Sequence, residues 1–241
     1  MRIGIFDSGI GGLTVLKSLI DKHPNNEYIY LGDTKNLPYG SKSYEQLLIL
    51  AKKNIDFLIG KNVDTIIIAC GTISSNHYDN LKNNYKIPLV DIITSAAKEL
   101  KGYNKVLLIA TEMTIKSEVF KQKLSNEGIK VIDTACPKFV PLIEGMITHN
   151  KHETIEEYLK EYKDSDIETI IPGCTHYPLL KREIEEYLNV PMFDIGGAIA
   201  KNIDIIDSLP SIELYFSSIS DKLKDNVKNI MEDIPLLEAQ L

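Results

Sequence analysis

The chain of 241 residues reads as an α/β protein, doubly wound around parallel strands. Three observations predict this. Short β-branched runs alternate with amphipathic stretches along the whole sequence. The runs are continuously apolar rather than alternating, as strands covered on both faces are. The pattern also comes twice: "IIIACGTIS" (66–74) and "IIPGCTHYPLL" (170–180) each end an apolar run in a cysteine, with a threonine close behind.

Taken in order, "RIGIF" (2–6) is the first expected strand, and it stops at a glycine turn. "YIYLG" (28–32), "TIIIA" (65–69) and "PLVDI" (88–92) follow. "KVLLIA" (105–110), "KVIDTA" (130–135), "TIIPG" (169–173) and "PMFDI" (191–195) are the later ones. The segments between them carry helical periodicity, over 11–22, 41–60, 73–85, 94–101, 114–126, 151–163 and 176–188. Pro178 suits the first turn of the last. Doubling is visible in the spacing. Phe6 to Cys70 spans 64 residues, and so does Ala110 to Cys174. Two lobes are therefore expected: residues 1–93 plus 206–241 carrying Cys70, and residues 94–205 carrying Cys174, with the C-terminal stretch packing back on the first.

Bulk composition narrows the function. A net charge of −7 with no dense basic block argues against a nucleic-acid partner. No apolar run approaches the ~20 residues of a membrane span, so no membrane partner is expected. "MRIGIFDSG" goes straight into a strand and a turn, unlike a secretion signal. Cys70, Cys136 and Cys174 are odd in number and far apart, which predicts free thiols in a reduced, cytoplasmic setting.

In open α/β sheets, ligands sit beyond the carboxyl ends of the strands. Asp7, Asp33, Cys70, Thr111, Cys136 and Cys174 all lie there. "FDSGIGGLTVL" (6–16) supplies a glycine-rich strand-to-helix turn that could present backbone N–H groups to an anion. As a dinucleotide fingerprint it lacks the last glycine, although Asp33 stands where a ribose-binding acid would. Asp7 at its mouth would repel a pyrophosphate. The glycines could equally serve only a tight turn.

A lone cysteine is often a small buried hydrophobe. "GCTH" weakens that reading for Cys174, because Gly, Cys, Thr and His together suit a ligand-facing turn. Cys136, ahead of Pro137, reads as packing. Zinc would want close cysteine pairs, and only Cys174 and His176 are near neighbours, so no metal is expected. A Cys–His nucleophile is a further option, but it explains neither the second cysteine nor the doubling. Two thiols facing one substrate explain both. Interconverting enantiomers requires taking a proton from one face and returning one to the other, and each thiol can serve as acid in one direction and base in the other.

The motifs "IGIFDSGIGGLTVL", "YLGDTKNLPYG", "ACGT", "ATEMT", "ACPKFVPLIEG", "GCTHYPLL" and "DIGGAIA" resemble, in order, those of glutamate racemases in the aspartate/glutamate racemase superfamily. The resemblance covers residues 3–200, and "LYFSS" (214–218) extends it. It implies two pseudo-symmetric doubly wound lobes with parallel sheets and the active site between them. It also implies glutamate as substrate, no cofactor, D-glutamate made for peptidoglycan, and a homodimer. Cys70 would exchange the α-proton of D-glutamate and Cys174 that of L-glutamate, assisted by Asp7 and His176. Asp33 and Glu144 match supporting acids. Ser8, Pro38, Tyr39, Gly40, Thr72, Thr111, Thr114 and Thr175 match substrate-contacting positions. Thr114 could instead cap a helix, and Pro38 and Gly40 could only shape a turn.

Gly71 departs from the family pattern Cys-Asn-Thr, in which the Asn side chain meets substrate. Glycine removes that group, with an expected gain of room and a backbone N–H left behind. A lost hydrogen bond to a charged ligand costs roughly 1.5–3 kcal/mol. A related amino acid as substrate, or a non-catalytic ligand-binding relative, is the alternative this raises. Ile73 and Ile195 are smaller departures, from Ala and Ser.

Overall fold

The computed structural model describes residues 1–231 and 233–241. In chain order the first half runs β1 (Arg2–Asp7), α1 (Leu13–Lys22), β2 (Glu27–Gly32), α2 (Tyr44–Gly60), β3 (Thr65–Ile68), α3 (Gly71–Asn84), β4 (Leu89–Asp91) and α4 (Ile92–Glu99). The second runs β5 (Lys105–Ala110), α5 (Glu112–Ser117), α6 (Val119–Asn126), β6 (Lys130–Ala135), α7 (Phe139–Glu144), α8 (Lys151–Leu159), β7 (Thr169–Pro172), α9 (Lys181–Leu188) and α10 (Ile195–Asn202). The chain finishes with β8 (Ser211–Phe216), α11 (Asp221–Ile230) and β9 (Leu236–Glu238).

The strands form two parallel sheets. One has the order β4-β3-β1-β2-β8-β9 and the other β6-β5-β7. β1 lies between β2 and β3, and β5 lies between β6 and β7. The spatial order about β1 is therefore repeated about β5, and the sequence doubling is a doubling of topology. The connection from β1 leads to β2 on one side and that from β3 leads to β4 on the other, which opens a crevice at the carboxyl ends of these strands. β1 and β5 earn these central places by their apolar runs, Ile3–Phe6 and Val106–Ala110, and both are buried from their second residue on.

The C-terminal β8 pairs with β2 in the first sheet, so the end of the chain joins the lobe that began it. One apolar core underlies both lobes: Ile5, Leu13 and Tyr30 pack in the same cluster as Leu108, Ile171 and Ile199. α10 lies against both α1 and α4.

Three expectations are corrected. Residues 191–195 are not a strand. Only Met192 bridges Ile170, because Pro191 has no N–H for a ladder and Asp194 instead caps α10, accepting from Gly197 N–H at 2.9 Å. The helix expected over 114–126 is two helices, broken at Glu118 with φ +56°. There the Ser117 hydroxyl donates to the Thr114 carbonyl at 2.8 Å, offering the backbone a local alternative to continuous helix. The helix expected from 73 starts at Gly71, directly after Cys70.

Candidate active site

Cys70 follows β3 and sits at the N-terminal end of α3. Burial pushes its thiol pKa up, and the charge of Asp7 adds to this. The backbone N–H groups of Ile73 and Thr72 at the helix start oppose the rise without cancelling it.

Asp7 ends β1 and is fully buried. One carboxylate oxygen accepts from Gly12 N–H at 3.0 Å and Gly9 N–H at 3.3 Å, and the other accepts from the Thr175 hydroxyl at 3.0 Å. The Ile10 N–H of the same turn goes to Glu144 at 3.1 Å. The amides that a phosphate would need are thus taken by the chain's own carboxylates, which rules the glycine-rich turn out as a dinucleotide loop. The glycines have another use. A Cβ on Gly11 would lie 2.5 Å from His176 Nδ1 and 2.6 Å from its backbone nitrogen. Glycine here is what lets the second lobe seat its histidine beside the first.

Cys174 follows β7, at the position matching Cys70. His176 Nδ1 is 3.9 Å from Cys174 Sγ, and Nε2 is 2.7 Å from Glu144 Oε1. Burial pulls the His176 pKa down. The hydrogen bonds to Cys174 and Glu144 and the charge of Glu144 outweigh it, and the ring stands well above the ordinary histidine value. For Glu144, burial pushes up, but His176 and the Ile10 N–H hold it below the usual carboxylate range. The two are a buried ion pair.

Both thiols, one from each lobe, open on a single cavity of about 170 Å³. Ser8, Thr72, Thr111 and Thr175 line it with hydroxyls, and Pro38, Tyr39 and Gly40 form a wall. Thr72 and Thr111 hydroxyls meet at 3.0 Å, joining the lobes at its edge. Asp7, His176, Asp33 and Glu144 stand behind this lining, not in it. Thr114 is also outside. Its N–H is capped by the Thr111 hydroxyl at 3.3 Å, and its own hydroxyl lies 3.0 Å from Thr111's. Gly71 is likewise off the lining, and the expected extra room there is absent, because the Gly173 carbonyl fills it.

Ser41, Glu112, Pro137 and Val140 also line the cavity. The strand-end rule would have reached Glu112 and Pro137, which follow the ends of β5 and β6 by two residues. Val140 belongs to the unanticipated α7. Among the described residues, no lysine or arginine lines the cavity, so an anion there meets hydroxyl and N–H dipoles rather than a cationic side chain, and Glu112 is the one carboxyl in the lining.

Asp33 is a buried hub. It accepts from the Tyr39 hydroxyl at 2.6 Å, the Ser217 hydroxyl at 2.6 Å and Asn36 Nδ2 at 2.9 Å. Asn54 Nδ2 donates to the same Tyr39 oxygen at 3.0 Å. The network fixes a tyrosine of the cavity wall. Cys136 is fully buried among Leu107, Ile109 and Phe139 and is not part of the cavity lining, although its neighbour Pro137 is. Among the described residues, no helix is long and apolar enough to cross a membrane.

A sequence model of the Asp/Glu/Hydantoin racemase family matches residues 16–203. The chain is 41% identical to a glutamate racemase of Aquifex aeolicus over 96% of its own length and 94% of that protein's. The solved structure of glutamate racemase from Aquifex pyrophilus superposes with a TM-score of 0.85 at 38% identity, covering 99% of this chain and 98% of that one. The Francisella tularensis glutamate racemase in complex with D-glutamate gives a TM-score of 0.88 at 32% identity, covering 99% and 97%. The chain belongs to the Asp/Glu/Hydantoin racemase family and is an isomerase of the amino-acid racemase type.

Proposed function

We propose that this protein interconverts L- and D-glutamate without a cofactor, using Cys70 and Cys174 as opposed acid and base, and so supplies D-glutamate for peptidoglycan. The carrying observation is that two topologically equivalent strand ends each deliver one thiol to one cavity. From L-glutamate, the Cys174 thiolate takes the α-proton. The electron pair remains on the α-carbon, spread into its carboxylate. The Cys70 thiol then gives its proton to the opposite face, which leaves Cys174 as thiol and Cys70 as thiolate. For the next L-glutamate, Cys174 gives up its proton and Cys70 takes one up by exchange with water; D-glutamate is consumed by the same steps in reverse. A Cys70 thiol held protonated by burial and by Asp7 suits the donor's part. His176 stands within reach of Cys174 to carry its proton, and Glu144 orients the ring.

The substrate's carboxylates are received by the hydroxyls of Ser8, Thr72, Thr111 and Thr175. Thr72 and Thr111, now paired with each other, and Thr175, now donating to Asp7, turn toward the substrate to do so. Asp33 acts through Tyr39, and Thr114 through Thr111. The relatives named glutamate racemase, one of them holding D-glutamate, support this substrate.

The test is loss of the α-proton signal of L- and D-glutamate in deuterated water, with EDTA present and no pyridoxal phosphate added. Exchange and racemisation of both enantiomers is expected. Exchange that requires added zinc or pyridoxal phosphate would contradict the cofactor-independent reading. Exchange confined to another amino acid in a parallel panel would move the substrate.

A further inference from the structure

Gly71 begins α3 one residue after Cys70, and it faces the other lobe. A Cβ there would lie 2.0 Å from the Gly173 carbonyl oxygen, 3.0 Å from its carbonyl carbon and 3.5 Å from the Cα of Cys174. The obstacle is backbone, which cannot swing aside as the end of a side chain can. Gly173 is itself boxed in. Its N–H donates to the Ile109 carbonyl at 2.8 Å, and a Cβ on it would meet Leu108 at 2.8 Å and Ala110 at 3.0 Å. The Gly173 carbonyl is therefore anchored to β5. Two stiff pieces, the first turn of α3 and the end of β7, meet backbone to backbone. Cys70 precedes the contact by one residue on one side, and Cys174 follows it by one on the other.

We propose that Gly71 is a positioning residue: lacking a Cβ, it lets α3 rest on the Gly173 carbonyl, and this stop sets the gap between the two thiols. The proposal rests on the two-thiol reading above. It changes the meaning of the departure from Cys-Asn-Thr. Glycine does not leave a hole where an amide should reach substrate. It allows a closer approach of the lobes, which an asparagine at 71 would prevent. Reacting groups held in near-attack geometry lose about a hundred-fold in rate for a displacement of order 1 Å. A wedge of one methyl group between the lobes is of that order.

The experiment compares Gly71→Ala and Gly71→Asn with Gly60→Ala, a control whose Cβ would meet nothing within 4 Å. Each protein is checked by far-UV circular dichroism. Two readouts follow: kcat and KM for both glutamate enantiomers, and bridging of Cys70 to Cys174 by dibromobimane, located by peptide mapping. Both Gly71 variants are expected to lose about a hundred-fold in kcat/KM, mostly in kcat, and to bridge several-fold more slowly; Gly60→Ala matches the wild type. Glutamate turnover at or above the wild-type level in Gly71→Asn would overturn the proposal, as would unchanged bridging in both variants. If neither variant folds, the wild type decides. A prompt Cys70–Cys174 bridge upholds the close approach, and its absence refutes it. Wild-type protein that bridges but never exchanges the α-proton of glutamate would refute the proposed substrate while leaving the Gly71 test intact.

Discussion

His176 Nε2 lies 2.7 Å from Glu144 Oε1, with the two side chains only 1% and 7% exposed. The histidine comes from the turn after β7 and the carboxylate from the end of α7, so the pair ties the site to an element the sequence does not announce. Breaking such a pair strands a buried charge.

The first prediction follows from its signs. His176 has a raised folded-state pKa, so its contribution is complete below the unfolded value of ~6.5 and is lost as pH climbs through the folded value. Glu144 is lowered, so its contribution is present above ~4.3 and is lost as pH falls through the folded value. Glu144→Gln should cost about 3–5 kcal/mol near pH 6. Urea unfolding across ~pH 6 to 9 should show wild-type stability declining more steeply than the variant's. Parallel profiles would contradict the ion pair.

A second prediction concerns the Asp33 hub. Tyr39→Phe removes one of the donors to a buried carboxylate and leaves Asn54 without its acceptor. Stability should fall by about 1–3 kcal/mol. Because the ring still forms the cavity wall, KM for glutamate should change more than kcat. An unaltered urea midpoint would show that the network carries no weight.

Much of the site could be read from the sequence because it is local. Asp7 ends a strand and Cys70, Cys174 and Thr111 each follow one within two residues, and strand ends are where an α/β sheet presents its chemistry. The glycine-rich turn was legible as a turn but not as a seat, since its neighbours His176 and Glu144 lie far along the chain. Residues 191–195 misled because "PMFDI" has strand composition, while Pro191 and Asp194 decide the backbone. α7, with Pro141 inside it and only six residues long, gave too short a pattern to detect, and Val140 went with it. β8 is buried only over its second half, with Glu213 inside it, and β9 has three residues, so neither made a continuous apolar run.

The third cysteine provides a contrast. Cys136 is buried behind the cavity lining rather than in it, and burial pushes its thiol up. Cys136→Ala should keep racemisation within a few-fold of wild type. Cys136→Ser should do the same at a cost in stability of roughly 1–3 kcal/mol, for placing a hydroxyl among apolar neighbours. A large loss of activity in the alanine variant, with the fold intact, would assign Cys136 a part that the geometry does not give it.

The central claim is that the two thiols act from opposite lobes on one α-carbon, and it is tested most directly by separating them. Cys70→Ser and Cys174→Ser are each mixed with L- and with D-glutamate in deuterated water, and the α-proton signal and optical rotation are followed together. Both variants should lose racemisation by orders of magnitude, since a hydroxyl is a far weaker base than a thiolate. Residual exchange should favour L-glutamate where only Cys174 remains and D-glutamate where only Cys70 remains. Near-normal racemisation by either variant, or residual exchange with the same enantiomer preference in both, would contradict the two-thiol account.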